Sequence, residues 1–386
     1  VEFIHPKCFI ALFMQAVLNT HTDTELYYRI AITQIPGIGN VLAKNLISYC
    51  GGAEAVFKQK PQKLLRIPGI GEKTAQSIAV FDNFSKIESE LKFIQKHNIK
   101  PLFYLDEAYP SRLKHISDAP CMLYYLGNAD LNNTKVVGIV GTRRCTEYGK
   151  HFIDELTQAI SSTGALVVSG LALGIDVHAH RTALKFNLPT VGVVAHGLDR
   201  LYPVQHKNIA KRMVENGGIL TEYMSGTNPD RENFPMRNRI VAGMCDVLIV
   251  VETAERGGAM ITAELANGYN KEVMALPGRV GDLMSAGCNT LIKKNKASII
   301  TRPEDVLEWM GWDTPETPSL HQPTLPLDLS NEELTLLQHI RNKKKATMDD
   351  MVFELNISQT QLSMILLSLE MNGLIRTLPG KYYETV

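Results

Sequence analysis

Between residues 135 and 276 the chain repeats one pattern: a short aliphatic run, a turn, then a longer stretch with apolar residues at helical spacing. The runs are Lys135–Val140, Ala165–Val168, Thr190–Val194, Asp246–Val251 and Glu272–Leu276. Strands apolar on both faces must be covered on both sides, so the pattern predicts a parallel sheet layered with helices. Each run ends in Gly, Ser, His, Glu or Pro, which puts the turn chemistry at the carboxyl ends of the strands, where open α/β sheets bind ligands. The pattern changes outside this region. Residues 24–95 read as short helices broken by Gly-Pro turns. Pro315, Pro318, Pro323 and Pro326 predict an extended linker over 313–328. Beyond it, Glu332–Ile340, Met348–Leu355 and Gln361–Asn372 predict three helices, and Leu374-Ile375 with Lys381-Tyr382-Tyr383 a small β-wing, the outline of a winged helix. The expected units are therefore 24–95, 96–312, 313–328 and 329–386.

Residues 1–23 stay unassigned. The apolar run Cys8–Met14 follows a single basic residue, Lys7, has no clear small-x-small cleavage site, and reads as an upstream extension or a misplaced start rather than a secretion signal.

The 24–95 segment contains a repeat. Ile35-Pro36-Gly37-Ile38-Gly39 recurs as Ile67-Pro68-Gly69-Ile70-Gly71, each followed by a helical stretch. This is the hairpin of a helix-hairpin-helix motif, in which glycines allow a tight turn and leave N–H groups at a helix start where a phosphate can sit. The pair is a signal for fold; whether it packs only or also touches DNA stays open at this point. Gly69–Thr74 resembles a Walker loop, but Glu72 separates the glycine from Lys73 and the spacing is wrong, so no NTPase follows.

At 386 residues, several domains are expected, at least one with a sizeable core. Lys+Arg and Asp+Glu are both 40, so any basic footprint must be local. Cys8, Cys50, Cys121, Cys145, Cys245 and Cys288 never form the close pairs of a zinc knuckle or thioredoxin-like site, and read as isolated thiols of a reducing, cytoplasmic compartment. No apolar run reaches the length of a membrane span.

Three strand-end features carry candidate chemistry. Gly138-Ile139-Val140-Gly141-Thr142-Arg143-Arg144 joins free N–H groups to an arginine able to grip a phosphate in a bidentate manner. It is not the dinucleotide fingerprint, because a Gly-x-Gly-x-x-Gly run and the acidic ribose residue are missing. Ser169-Gly170-Leu171-Ala172-Leu173-Gly174-Ile175-Asp176 is a second glycine-punctuated turn, with Asp176 expected as a helix cap. Asp176-x-His178-x-His180 invites a metal reading, yet His178 and His180 point to opposite sides of a helix while Asp176 and His180 can meet; capping and hydrogen bonding are favoured, and no metal or cofactor is expected. Third, Phe234-Pro235-Met236-Arg237-Asn238-Arg239 opens an apolar helix with two arginines around an Asn, and Arg231 and Phe234 add a cation and a flat group on which an unpaired base can stack.

Taken in order, these segments resemble the motifs of the DNA-processing protein A (DprA/Smf) family. The match runs from Tyr109-Pro110 and Leu123-Tyr124 through Gly138-x-x-Gly141-Thr142-Arg143, Ser169-Gly170-x-Ala172-x-Gly174-Ile175-Asp176, Gly197-x-Asp199 with Tyr202-Pro203, Phe234-Pro235-x-Arg237-Asn238-Arg239 and Ile261-Thr262-Ala263 to Pro277-Gly278. It covers about residues 100–312 and, less specifically, both flanks. The resemblance implies an α/β fold: an extended Rossmann-like parallel sheet flanked by an N-terminal helix-hairpin-helix (SAM-like) domain and a C-terminal winged-helix domain. It also implies a cytoplasmic, non-enzymatic homodimer that binds and protects single-stranded DNA and helps load a RecA-type recombinase in natural transformation. On this basis phosphate contact falls to Arg143 and Arg237, with Arg239 and Asn238 beside them, and backbone contact to Gly141, Thr142, Ser169 and Gly170. Gly257-Gly258 replaces the family's usual Ser-Gly, His196 stands in a commonly Gly-rich stretch, and Asn295-Lys296-Ala297 replaces an expected Gly-Ala.

Two other classes compete. A nucleotide phosphoribohydrolase of the lysine-decarboxylase-like group would use Arg237, Gly257-Gly258 and Glu264, but Ala259-Met260-Ile261 breaks its glycine turn. A duplex-binding regulator would read DNA through Ser358–Met364, where only glutamines are available to base edges.

Overall fold

A computed structural model of the chain describes residues 21–312, 329–343, 346–355, 357–372, 374–378 and 382–385. The segment 1–20 and the Pro-rich stretch 313–328 lie outside the described residues. Two compact units divide between Asp313 and Thr314.

The first unit is built on nine strands: β1 (Lys100–Phe103), β2 (Met122–Gly127), β3 (Val136–Val140), β4 (Leu166–Ser169), β5 (Thr190–Val193), β6 (Gly217–Thr221), β7 (Val247–Val250), β8 (Glu272–Ala275) and β9 (Ser298–Ile299). Their order is β1-β2-β6-β5-β4-β3-β7-β8-β9. The strands from β6 to β9 are parallel, and β1 and β2 extend the sheet antiparallel. All five strands predicted from the aliphatic runs are present as β3, β4, β5, β7 and β8.

Alternation along each strand sorts its side chains between two cores. Val136 and Val140 face one layer, under the helices Asn233–Met244 and Gly258–Gly268. Val137 and Ile139 face the other, under Glu147–Ala159 and Ile175–Lys185. Each fully buried aliphatic side chain contributes about 1.5–3 kcal/mol, which explains why these runs contain almost no polar residue.

Four strands of this sheet escaped the sequence pattern. β6 opens on Gly217-Gly218, which reads as a turn; Gly217 has φ +143 and lies where a side chain would strike the Thr190 backbone. β1 contains Pro101, tolerated because β1 is an edge strand. β9 is only two residues long, and β2 entered the sequence reading only as part of a motif.

N-terminal to the sheet, the helices His21–Ile32, Asn40–Cys50, Ala53–Lys58, Glu72–Ala79 and Phe84–Lys96 carry both hairpins. Gly37 and Gly69 adopt φ +82 and +84, the left-handed turn the repeat demands. Their core residues, among them Tyr27, Leu46 and Ile87, form one cluster with Phe103, Cys121, Met122 and Tyr124 of the sheet region. Arg29 pairs with Asp106 at 3.0 Å, and Glu90 accepts from the Ser225 backbone N–H at 3.0 Å.

The second unit packs Asn331–Lys343, Met348–Leu355 and Gln359–Met371 around Leu336, Met351, Leu362 and Leu369. Three short strands, β10 (Ala346–Thr347), β11 (Ile375–Leu378) and β12 (Tyr382–Thr385), are ordered β10-β12-β11. This is the expected winged helix. Its Gln359–Met371 helix is capped by Ser358 and exposes Met364, Leu367 and Met371.

Candidate nucleic-acid interface

The chain leaves β3 toward β4 and leaves β7 toward β8, in opposite directions across the sheet. The crevice outside such a switch point is where open α/β sheets bind ligands. Glu252, just past β7, shapes it. Its buried carboxylate accepts from the Thr146 N–H at 2.9 Å and from Thr146 Oγ1 at 2.5 Å, and its carbonyl accepts from the Thr142 N–H at 2.6 Å. Thr146 in turn caps the helix Glu147–Ala159 through the Gly149 N–H. The close approach requires glycine at 149, where a Cβ would lie 2.6 Å from Glu252 Oε2. On the other side Gly174, at φ +81, lets the Ile175 N–H reach the Thr142 carbonyl at 3.2 Å. The turn 141–146 is thus held from both flanks, and Arg143 and Arg144 project from it exposed.

The crevice is a cleft of about 870 Å³. Arg143, Arg144, Arg231 and Arg237 line it against a single carboxylate, Asp176. The helix Gly258–Gly268 opens its first turn into the same space, adding partial positive charge. Phe234 stands at the centre of the cations: Arg143 Cζ is 5.6 Å and Arg237 Cζ 6.0 Å from its ring centroid, and the Tyr202 ring lies 6.1 Å away. Cations and flat rings brought together in one groove suit a strand whose phosphates and unpaired bases are both available.

Arg237 plays a different part from Arg143. It is 5% exposed and donates to the carbonyls of Gly170 and Val193, next to Asp176. Burial draws the Arg237 guanidinium below its ordinary value and pushes the Asp176 carboxyl up, and each partner's charge opposes the other's shift. Arg237 therefore ties the ends of β4 and β5 together while presenting one edge to the cleft.

Gly141, Thr142, Arg143, Gly170, Arg237 and Asn238 all line the cleft. Ser169 and Arg239 do not. Ser169 is fully buried, its Oγ donating to the Ile139 carbonyl at 2.5 Å. Two residues along a helix turn the side chain to the far side, so Arg239 points away from Arg237: it is 2% exposed, paired with Glu222, and donates to the Asp118 carbonyl at 2.5 Å. Both residues support the fold beneath the site rather than form its surface.

The Asp176, His178 and His180 set also separates. Asp176 is not the cap, a position taken by Gly174; its carboxylate reaches back to the Ala172 N–H at 3.4 Å. His178 Nε2 meets Asp154 at 2.8 Å, and His180 Nδ1 meets Thr190 Oγ1 at 2.7 Å, so Asp176 and His180 do not meet. Among the described residues no three His, Cys, Asp or Glu side chains gather as a metal site. The five described cysteines are all free.

The hydrolase arrangement fails on Glu264, which lies outside the cleft lining with both carboxylate oxygens 2.7 Å from Lys296 Nζ. Residue-by-residue reading took Glu252 only as the end of an aliphatic run and gave neither it nor Thr253 a part in the site. Glu252 follows a buried strand, and a carboxylate in that position is itself the signal that a backbone turn nearby needs an acceptor.

Among the described residues no helix is long and apolar enough to cross a membrane. Residues 100–311 match the family model of DNA recombination-mediator protein A, 30–81 a SAM-like helix-hairpin-helix tandem, and 321–381 a DprA winged helix domain. The chain is 36% identical over 296 residues to protein Smf of a Synechocystis strain, covering 75% of this chain and 73% of that protein. The X-ray structure of DNA processing protein A from Streptococcus pneumoniae superposes with TM-score 0.65 and 31% identity, over 73% of this chain and 97% of that one. DNA processing protein A from Helicobacter pylori, whose structure addresses its single-stranded DNA binding mode, superposes with TM-score 0.51 and 32% identity, over 56% of this chain and 96% of that one. The chain belongs to the DNA processing protein A (DprA/Smf) family.

Proposed function

We propose that this chain binds single-stranded DNA in the cleft between the β3 and β7 turns, and acts in DNA processing during transformation and recombination. The observation that carries the reading is Phe234 flanked by the Arg143 and Arg237 guanidinium groups in an arginine-lined cleft. Arg143 and Arg237 hold phosphates, Asn238 and the Gly141–Thr142 and Gly170 backbone flank them, and Phe234 stacks a base. The single-stranded binding mode of the Helicobacter pylori relative supports it. Fluorescence anisotropy with the full chain tests it: binding that is salt-sensitive, tighter for single strands than for duplex of equal length, and weakened in Arg143→Ala and Arg237→Ala. Unchanged binding in both variants overturns it.

The chain acts as a binding protein rather than an enzyme in this reading. The one carboxylate lining the cleft, Asp176, stands beside Arg237, and Glu252 behind the turn is bonded to Thr146, so neither is free to work on a substrate. Incubation with nucleoside monophosphates is expected to release no free base, and release abolished by Glu264→Ala would reinstate the hydrolase.

Protection of bound strands, handover to a RecA-type recombinase, a cytoplasmic location and a homodimer complete the proposal. The dimer has physical support in β9, which among the described residues pairs on one side only and carries exposed Ile299 near Trp309. Such an edge can pair with a second copy. Sedimentation of Ile299→Glu as a monomer supports that surface, and an unchanged dimer removes it. A strand-exchange assay with single-strand-binding protein present reads recombinase loading directly.

A further inference from the structure

The two hairpins share a backbone but not a surface. In the second copy, Lys60, Lys63 and Arg66 sit three residues apart on successive turns, with Lys63 N–H bonding the Lys60 carbonyl at 2.9 Å and Arg66 N–H the Lys63 carbonyl at 3.2 Å. Side chains three apart in such turns lie on one side. The buried residues Leu64, Ile67 and Ile70 take the opposite register. Lys73 follows in the next helix. All four cations are exposed, none pairs with a carboxylate among the described residues, and the only acidic residue among residues 60–73 is Glu72.

The first copy is an internal control. At the positions corresponding to Lys60, Lys63, Arg66 and Lys73 it has Tyr28, Ala31, Gln34 and Val41. Its nearby cations are engaged: Arg29 pairs with Glu25 and Asp106, and Lys44 lies 5.5 Å from the Tyr104 ring centroid. Its helix start is occupied too, because the Asn40 side chain accepts from the Cys121 N–H at 2.8 Å. One copy is the joint to the sheet, while the other turns an unpaired row of positive charge to solvent.

We propose that the second hairpin is a docking surface for the sugar-phosphate backbone of duplex DNA, separate from the cleft. The charge row matches a polyanion. Residues 60–73 contain no aromatic side chain, so the surface has nothing on which to stack an unpaired base, in contrast to Phe234 and Tyr202 in the cleft. The chain then holds a junction, with the single strand in the cleft and the adjoining duplex on the hairpin. The duplex site stands without the cleft reading; the junction needs both.

Anisotropy titrations of the full chain over a salt series test this, using a single strand, a blunt duplex and a duplex with a single-stranded tail. The variant combines Lys60→Gln, Lys63→Gln, Arg66→Gln and Lys73→Gln, and Lys293→Gln with Lys294→Gln serves as a surface control that removes two charges to the variant's four. The four side chains are exposed and unpaired, so circular dichroism is expected to match wild type. Wild type is expected to prefer the tailed duplex. The hairpin variant loses that preference and about tenfold or more in blunt-duplex affinity, with the log–log salt slope shrinking by roughly one per cation in contact, while its single-strand affinity stays within about twofold. Arg143→Ala reports on the cleft separately, weakening the single strand and sparing the blunt duplex. Unchanged duplex binding in the hairpin variant, an equal loss on single strand and duplex, or an equal loss in the lysine control overturns the proposal.

Discussion

A Cβ placed on Gly170 would lie 2.6 Å from Arg237 Cζ, the guanidinium carbon of the side chain that bonds the Gly170 carbonyl. The glycine and the arginine occupy adjoining volumes, so neither can change alone. Gly170→Ala is expected to cost about 1–3 kcal/mol of stability, as overpacking does, and to weaken single-strand binding by displacing Arg237. Urea unfolding and anisotropy on the same preparation check both effects.

Arg143 and Arg237 should separate contact from support. Arg143 is exposed, so Arg143→Ala should leave the melting temperature nearly unchanged while lowering the salt slope of single-strand binding by about one. Arg237→Ala strands two carbonyls and the Asp176 carboxylate. It should lower both affinity and stability, the latter by about 3–5 kcal/mol. Equal thermal shifts in the two variants would contradict this division.

Arg239 is expected to matter for folding only. Arg239→Ala leaves the largely covered Glu222 carboxylate unpaired, a loss of about 3–5 kcal/mol. The salt slope of DNA binding, measured below the unfolding transition, should match wild type.

His180 predicts a pH dependence. Burial holds its imidazole down at about 3 in the folded chain, with the charges of His206 and Arg237 acting in the same direction. The ordinary value is 6.5, so between pH 6.5 and 3 the unfolded chain binds a proton that the folded chain refuses. The stability from keeping this ring neutral is complete above pH 6.5. It falls by about 1.4 kcal/mol for each pH unit below that. His180→Gln removes the titrating group while keeping an N–H for Thr190. The difference between the two urea-stability curves at pH 7.5, 6 and 5 isolates the effect, and parallel curves would refute it.

The sequence made the central sheet legible because its buried strands are nearly pure aliphatic runs, and such runs have few other homes. It did not reveal β6 or β1, where Gly217 and Pro101 carry turn chemistry into a strand and only the neighbouring Thr190, Tyr125 and Tyr124 backbones and rings make sense of them. At the site, Arg143, Gly170 and Arg237 could be placed because strand ends converge on one edge. The roles of Ser169 and Arg239 could not, since a polar residue near that edge can equally bond downward into the fold. Helical phase separates Arg237 from Arg239, and a phase argument already available for His178 and His180 applies to this pair as well.

The core shared by the N-terminal helices and the first two strands fixes how this protein can be dissected. A cut near residue 96 would strip the cover from Phe103, Met122 and Tyr124 and give a sticky, misbehaving fragment. The smallest piece that keeps its interior closed runs from about residue 21 to 312. Anyone wishing to assay the cleft alone should therefore trim the chain at its carboxyl end and leave the amino end whole.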